Sequence, residues 1–446
     1  MIGFIALWTC LGTVAAQTDE YRVRVDGRLQ ADEWVSGYGY VVRRTDVQYR
    51  LQLDALPKWG RAQGVAFFFD GDLGTDLGPS TEENRLDLGN QTTSLDLFRA
   101  EVMLAQTLPK VLIRLGRHTV YDPVGFDALD GASVRVMALP AVDIVGHAGL
   151  GLRTRWLNLG PVGPQPLNTV GRDRVGYVMG AGLESKLSPR FNFGLGWRRH
   201  FGEEIQQEKM GARLSIAPVH WLSLDSSVAG ELIFGHLVDA DVGLRLQIVE
   251  GLRIRAETRY HYPHFSADTI WASFARSPYH GAGLSLDYSE QRWRYWLRGE
   301  GRVYSDSTTQ EDALWFAPRF EDESVAWLGH GAIERRLDRQ GSSIGASASM
   351  NWGFGGRSAI ASANLVAPIP WPHSYRPVEM NARLGAAWYE DAARSQWDGL
   401  SNWSVLGAAW RPDEGLRIGG QVEAFVSDRD RSRVRLMLTA RMENGW

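Results

Sequence analysis

Lysine is nearly absent from this chain, cysteine occurs once, and long apolar runs are missing beyond the N-terminus. Of the 48 basic residues only Lys58, Lys110, Lys186 and Lys209 are lysines. Arginine therefore carries nearly all the positive charge. Its rigid fork of donors suits anionic groups, although a biased genome would leave the same mark. The net charge of −4 does not indicate a basic nucleic-acid surface. Without about 18 unbroken apolar residues, no segment after the N-terminus can be a spanning helix. Mean hydropathy is −0.25, too polar for a helical membrane protein. A β-barrel escapes both tests, because half of its strand residues face water.

The single cysteine, Cys10, lies in an apolar N-terminal segment that ends in Val14-Ala15-Ala16. These small residues form a cleavage pattern, so 1–16 is expected to be a secretory signal cut after Ala16, and 17–446 the mature chain. The segment departs from the rule in having no Lys or Arg before its apolar stretch. Trp8 and Thr9 are too bulky before Cys10 for a lipoprotein signal. A mature chain free of cysteine excludes disulfides, thiolate metal sites and c-type haem attachment. No cofactor and no metal are expected.

Alternation is what the chain has in abundance. In Leu252 to Tyr262 the residues Leu252, Ile254, Ala256, Thr258, Tyr260 and Tyr262 share one parity. Arg253, Arg255, Glu257, Arg259 and His261 share the other. A strand sends successive side chains to opposite faces. One face is apolar and ends in aromatics, while the other is charged, as a wall between lipid and a wet lumen requires. Segments of this kind recur from Ser94–Leu104 to Arg433–Met442, with no amphipathic helix between them. Their number predicts about 18 to 22 strands, an even count. The pattern is weakest before Ala62, where 17–60 reads as two strands or a periplasmic lead-in, and between Gly341 and Leu365.

The connectors sort by length. Short turns such as Leu139-Pro140-Ala141, Glu250-Gly251 and Ser289-Glu290-Gln291 alternate with longer polar loops. Those loops are read at Asp70–Thr93, Arg117–Gly131, Arg153–Arg174, Pro263–Pro278, Tyr304–Ser324 and Glu390–Asn402. Pro368–Pro377 breaks the alternation, being long where a short turn is due. Short turns at one end and long loops at the other mark outer-membrane barrels. Trp446, preceded by Val434, Leu436, Leu438, Ala440 and Met442 on one parity, resembles the C-terminal assembly signal of such barrels, with Asn444 departing from it. The expected fold is an all-β, antiparallel, up-and-down transmembrane barrel in the bacterial outer membrane. Its expected partners are outer-membrane lipid, the barrel-assembly machinery and a periplasmic polysaccharide-export partner; nucleic acid is not among them.

Projecting the alternation inward places Arg99, Glu101, Arg114, Arg135, Arg253, Arg255, Glu257, Arg259, Arg294, Arg298, Glu300, Arg302, Arg433 and Arg435 in the lumen. Glu334, Arg336, Arg417 and Glu423 follow the same rule. Rings of charge set selectivity in pores. The same mixture of Arg and Glu can instead be self-paired scaffolding, and both readings stand. Leu115-Gly116-Arg117-His118, followed by Asp122-Pro123-Val124-Gly125-Phe126-Asp127-Ala128-Leu129-Asp130-Gly131, resembles a segment of porin-like barrels of the alginate-export kind. There a Gly-Arg strand end leads into a loop closed by Asp-Gly. The resemblance implies a loop that folds into the lumen and narrows it, with Asp122, Asp127, Asp130 and Gly131 in that constriction. Tyr260 to Ile270 is similar to barrels of exopolysaccharide secretion. The plain alternative is that Gly and Asp-Gly make hairpin turns.

The function expected from these features is a channel passing secreted polysaccharide. Passive diffusion of small hydrophilic or anionic solutes is the alternative, and a barrel-embedded lipid-modifying enzyme is a rival of another class. Enzyme signals are poor. Gly341-Ser342-Ser343-Ile344-Gly345 matches G-x-S-x-G, but that motif demands a strand-to-helix elbow, and here it opens a strand. No metal-binding His spacing occurs. Ser226 and His236 are hydrolase candidates only by residue type. The acidic residues from Asp70 to Asp87 lack the spacing of a Ca²⁺ loop and read as a solvated external loop. No enzymatic activity is expected.

Overall fold

The computed structural model describes residues 20–35, 41–56, 64–76, 93–139, 141–151, 176–188, 190–202, 205–233, 235–262, 278–305, 324–338, 341–353, 356–372, 376–390, 399–428 and 432–445. The expected signal segment and Trp446 lie outside these residues, as do positions 263–270 of the second family-like motif.

Twenty-two strands account for nearly all of it. They are β1 (Glu20–Val35), β2 (Val41–Leu56), β3 (Val65–Asp76), β4 (Thr93–Leu108), β5 (Val111–Asp122), β6 (Gly125–Leu139), β7 (Val142–Gly151) and β8 (Tyr177–Ser188). Next come β9 (Phe191–Phe201), β10 (Ile205–Val219), β11 (Leu222–Glu231), β12 (His236–Val249), β13 (Leu252–His261), β14 (Tyr279–Glu290) and β15 (Trp293–Tyr304). The last seven are β16 (Val325–Arg336), β17 (Ser343–Gly353), β18 (Gly356–Ile369), β19 (Arg376–Glu390), β20 (Gly399–Arg411), β21 (Leu416–Ser427) and β22 (Ser432–Gly445). Each strand pairs antiparallel with its sequence neighbours, and β1 pairs with β22 from Arg22↔Gly445 to Val35↔Ser432, so the sheet closes. Closure leaves no unpaired edge, which a sheet in hydrocarbon requires.

The region 20–60 resolves into the two strands β1 and β2, and the Gly/Ala/Ser-rich stretch into β17 and β18. Two of the expected loops are corrected. Asp70 and Asp72 belong to β3, where Asp70 accepts from Arg50 at 2.8 and 2.7 Å and from Gln52 at 3.0 Å. These carboxylates complete a charge row in the wall, and the strand runs on to Asp76. Arg117–Gly131 is a hairpin, with β5 and β6 joined by Pro123-Val124 alone. Asp122 Oδ1 accepts from the backbone N–H of Val124 at 2.8 Å and of Gly125 at 3.2 Å, closing the two-residue turn. The connectors 77–92, 152–176, 262–278 and 305–324 all leave the same end of the barrel. Pairs such as 109–110, 220–221, 250–251 and 291–292 join strands at the other, hereafter the short-turn end.

The outer face is apolar. Leu284, Leu297, Leu384 and Leu406 all point away from the lumen, at 58%, 60%, 60% and 61% exposure. An apolar surface of this extent is incompatible with water and fits acyl chains. Aromatic residues ring both margins. Tyr288, Trp293 and Tyr295 stack at the short-turn end, with centroids 5.8 and 6.0 Å apart. Trp327 opposes Trp352 near the long-loop end. Amphipathic rings at these two levels mark the interfaces of a bilayer. The barrel is therefore an outer-membrane one, since closed barrels of this kind are the strand-built solution to crossing that membrane.

Candidate functional site: the lumen wall and an inward-folded hairpin

Every residue that alternation projects inward lies on the inner face. Cross-strand register sets them in rungs. Arg245, Arg255, Ser285 and Arg298 share one rung; Asp225, Gly243, Glu257, Gly283 and Glu300 the next; Asp241, Arg259, Gly281 and Arg302 the one above. A zipper of charge joins these levels. Glu257 accepts from Arg298 at 2.5 Å and pairs with Arg255 at 3.2 Å, while Glu300 pairs with Arg298 at 3.1 Å and Arg302 at 2.6 Å. Arg298 on β15 reaches Glu257 on β13 across the whole width of β14. It can do so because β14 presents Gly281, Gly283 and Ser285 there; a Cβ on Gly283 would already stand 3.4 Å from Glu257 Cγ.

Other inner-face charges are also matched. Arg99 and Arg114 converge on the buried carboxylate of Glu101, with Arg99 Nε at 2.8 Å and Arg114 Nη2 at 2.7 Å. Arg135 reaches Asp143 at 3.1 Å and Glu184 at 3.0 Å. Arg294 meets Asp287 at 3.2 Å, Arg435 meets Glu423 at 3.1 Å, and Arg417 meets Glu379 at 2.9 Å. Arg259 stands directly opposite Asp241. Arg433 faces inward on β22 and also has a partner. Arg213, Arg245 and Arg253 have no ion-pair partner among the described residues, and all three are exposed to the lumen. Arg245 stands directly opposite Arg255, so like charges adjoin at this level. Arg213 and Arg245 escaped the sequence reading, although Leu244-Arg245-Leu246 carries the same alternation as its neighbours.

The β5–β6 hairpin departs from the wall. Pairing of β4 with β5 stops at Ala100↔Arg117, and that of β6 with β7 at Leu129↔Gly151, although the hairpin continues to its tip. A crease marks the departure. Gly116, Gly131 and Gly149 are consecutive cross-strand partners. Gly116 has φ +103°, and a Cβ on Gly149 would lie 2.5 Å from the Asp130 carbonyl oxygen. Side chains would block the approach of these backbones. Beyond the crease the hairpin lies flat on the inner face of β8–β10. A second glycine surface receives it: a Cβ on Gly194 would meet Pro123 Cγ at 2.9 Å, and one on Gly211 would meet the Pro123 carbonyl oxygen at 2.6 Å.

Charge holds the tip down. Arg198 of β9, 4% exposed, donates through Nη2 to the Gly125 carbonyl at 2.8 Å and through Nη1 to the Phe126 carbonyl at 3.1 Å. The same guanidinium forms an ion pair with Asp122 at 2.8 Å, without hydrogen-bond alignment, and with Asp127 at 3.4 Å. His200 Nε2 stands 3.1 Å from Asp127. His118 and Leu129, both fully buried, and His147 fill the space beneath. Asp122 and Asp127 thus sit in the docked tip. Gly131 is in the crease. Asp130 is held there by Arg117, whose Nε donates at 2.7 Å and whose Nη1 donates to the Leu97 carbonyl at 2.8 Å. Trp197-Arg198-Arg199-His200 gave no sign in the sequence of which cation meets the hairpin.

The hydrolase candidates are not brought together. Ser226 opposes Val242, well along β12 from His236, which opposes Glu231. Ser343 opens strand β17 with no elbow. No cluster of metal-ligating side chains occurs among the described residues.

No protein-family model matches the chain, and no curated protein does. Solved structures of similar shape include the P pilus usher (PapC) translocation pore, at 12% identity and a TM-score of 0.43, covering 94% of this chain and 99% of that one. Acinetobacter baumannii OccAB4 is similar at 10% identity and 0.45, covering 96% and 99%. Pseudomonas aeruginosa OccK8 (OprE) is similar at 10% and 0.42, covering 97% and 100%. Likenesses at this level carry no argument about cargo, and the barrel is established by its own strand pairing.

Proposed function

We propose that this barrel is a channel for hydrophilic solutes and favours anions. One observation carries the reading: the lumen-facing Arg213, Arg245 and Arg253 lack ion-pair partners among the described residues, while Glu101, Glu257 and Glu300 are each held between two arginines. Barrels of more than about 16 strands enclose water unless plugged. Unpaired guanidinium groups on their inner wall would concentrate anions. Such a channel needs no catalytic group and no cofactor. Lipid and the assembly machinery are its natural partners.

Export of polysaccharide is a narrower form of the same reading. It is supported by the Gly-Arg to Asp-Gly segment and by the inward fold of that segment, and it would require a periplasmic export partner. The test of the channel reading is the reversal potential of the reconstituted protein across a KCl gradient. Anion preference is expected, with a shift toward cations in an R245E/R253E variant. An unchanged reversal potential would remove these arginines from the conduction path, and an absence of current would end the channel reading.

A further inference from the structure

The hairpin turns over as it folds inward. Its inner-parity residues, His118, Val120 and Asp122 on β5 and Asp127 and Leu129 on β6, are pressed against β8–β10. Its other face, which alternation assigns to lipid, therefore looks into the lumen. On that face Tyr121 and Phe126 are direct cross-strand partners. They are 71% and 57% exposed, with ring centroids 5.1 Å apart and planes tilted by 58°. Among the other described residues, rings so exposed, such as Trp327 and Tyr177, stand at the lipid margins. Here two stand in water, on a support held by Arg198 and Asp122.

Below them on the same face come Thr119↔Ala128 and then Arg117↔Asp130. Ala128 leaves the surface low beside the rings. Asp130 keeps 36% of its side chain exposed, so carboxylate oxygens border the apolar surface about 13 Å from the ring pair, at strand spacing. Apolar ring faces at one end and hydrogen-bonding groups at the other match one chemistry well. A pyranose has C–H faces that stack on aromatic rings and hydroxyl edges that need donors and acceptors.

We propose that Tyr121 and Phe126 form a ring-stacking subsite for sugar residues passing through the lumen. The proposal rests on the channel reading and narrows its cargo to carbohydrate. Two measurements keep the two ideas apart. In planar bilayers, maltohexaose is added to the open channel and its blocking events are timed, with a polyethylene glycol of equal hydrodynamic size as the non-stacking control. In detergent micelles, saturation-transfer NMR reports maltohexaose binding without any need for current.

The wild-type channel should show maltohexaose blocks that outlast polyethylene glycol blocks. A Y121A/F126A variant should shorten them roughly 3- to 10-fold, the range expected for one aromatic contact. A Y121F/F126Y variant, which keeps both rings, should retain them. Equal block by both polymers means size exclusion alone and overturns the subsite. Block by benzoate together with no effect of maltohexaose also overturns it, assigning the rings to aromatic solutes. Saturation transfer to maltohexaose that survives Y121A/F126A overturns it as well. Sugar binding that depends on the rings in a protein that passes no current would uphold the subsite and sink the channel.

Discussion

Arg198 and Gly125 lie on strands separated by two others in the sheet order, yet the Arg198 guanidinium donates to the Gly125 carbonyl at 2.8 Å. The contact exists only because the β5–β6 hairpin has left its own place in the wall. Removing it should release the hairpin. Arg198→Ala strands the carboxylate of Asp122 in a buried setting and leaves Asp127 with His200 alone, at a cost of about 3–5 kcal/mol. Hydrogen–deuterium exchange should rise across 118–129 while the rest of the barrel keeps its protection. Unchanged exchange in that segment would show that the latch lies elsewhere.

The crease should tolerate no side chain. Gly131→Val would drive its Cβ into the Ala148 carbonyl and the Gly149 backbone, and overpacking against backbone costs at least about 1–3 kcal/mol. Gly146 on the neighbouring strand has open space where a Cβ would go, so Gly146→Ala is the matched control. Heat-modifiable gel migration of outer-membrane fractions should show loss of folded barrel for the first and none for the second.

Glu257 is the hinge of the zipper between β13 and β15. Glu257→Gln removes one negative charge and leaves Arg255 without its ion-pair partner and Arg298 with Glu300 alone. Two cations then face the lumen less compensated, and anion preference in reversal-potential measurements should increase. Gly283→Leu should act similarly by a different route, because its side chain would stand between Arg298 and Glu257. If Glu257→Gln were neutral while R245E/R253E was not, selectivity would reside in the free arginines alone.

Salt should erase the preference. Most of these pairs are partly exposed to the lumen, where screening is effective. The screening length falls from about 10 Å in 0.1 M salt to about 3 Å in 1 M. Reversal potentials at a fixed concentration ratio should therefore approach zero selectivity at high salt. A preference that survived 1 M KCl would place the selecting charges in a narrow, dry constriction.

Much of this molecule is written in local alternation. Leu252 to Tyr262 alone states that one face is apolar and the other charged, and repetition of that pattern implies a two-faced wall of even strand number. Sorted connectors add the polarity of the barrel. These properties follow from the two-residue period of a strand, which each segment carries without reference to its neighbours. Partners are another matter. That Arg298 reaches Glu257 depends on β14 lying between them with Gly281 and Gly283 turned inward, a fact of register across three strands. The segment from Arg117 to Gly131 was legible as inward-folding by resemblance, but as a loop, because its Asp and Gly residues imitate turn composition. Only the tertiary structure shows it as a continuous hairpin that creases at three aligned glycines. The crease reverses the meaning of parity, so that Tyr121 and Phe126, apolar residues on the lipid-facing phase of their strands, end in water. Alternation determines that a strand has two faces; where the backbone folds over decides what each face meets.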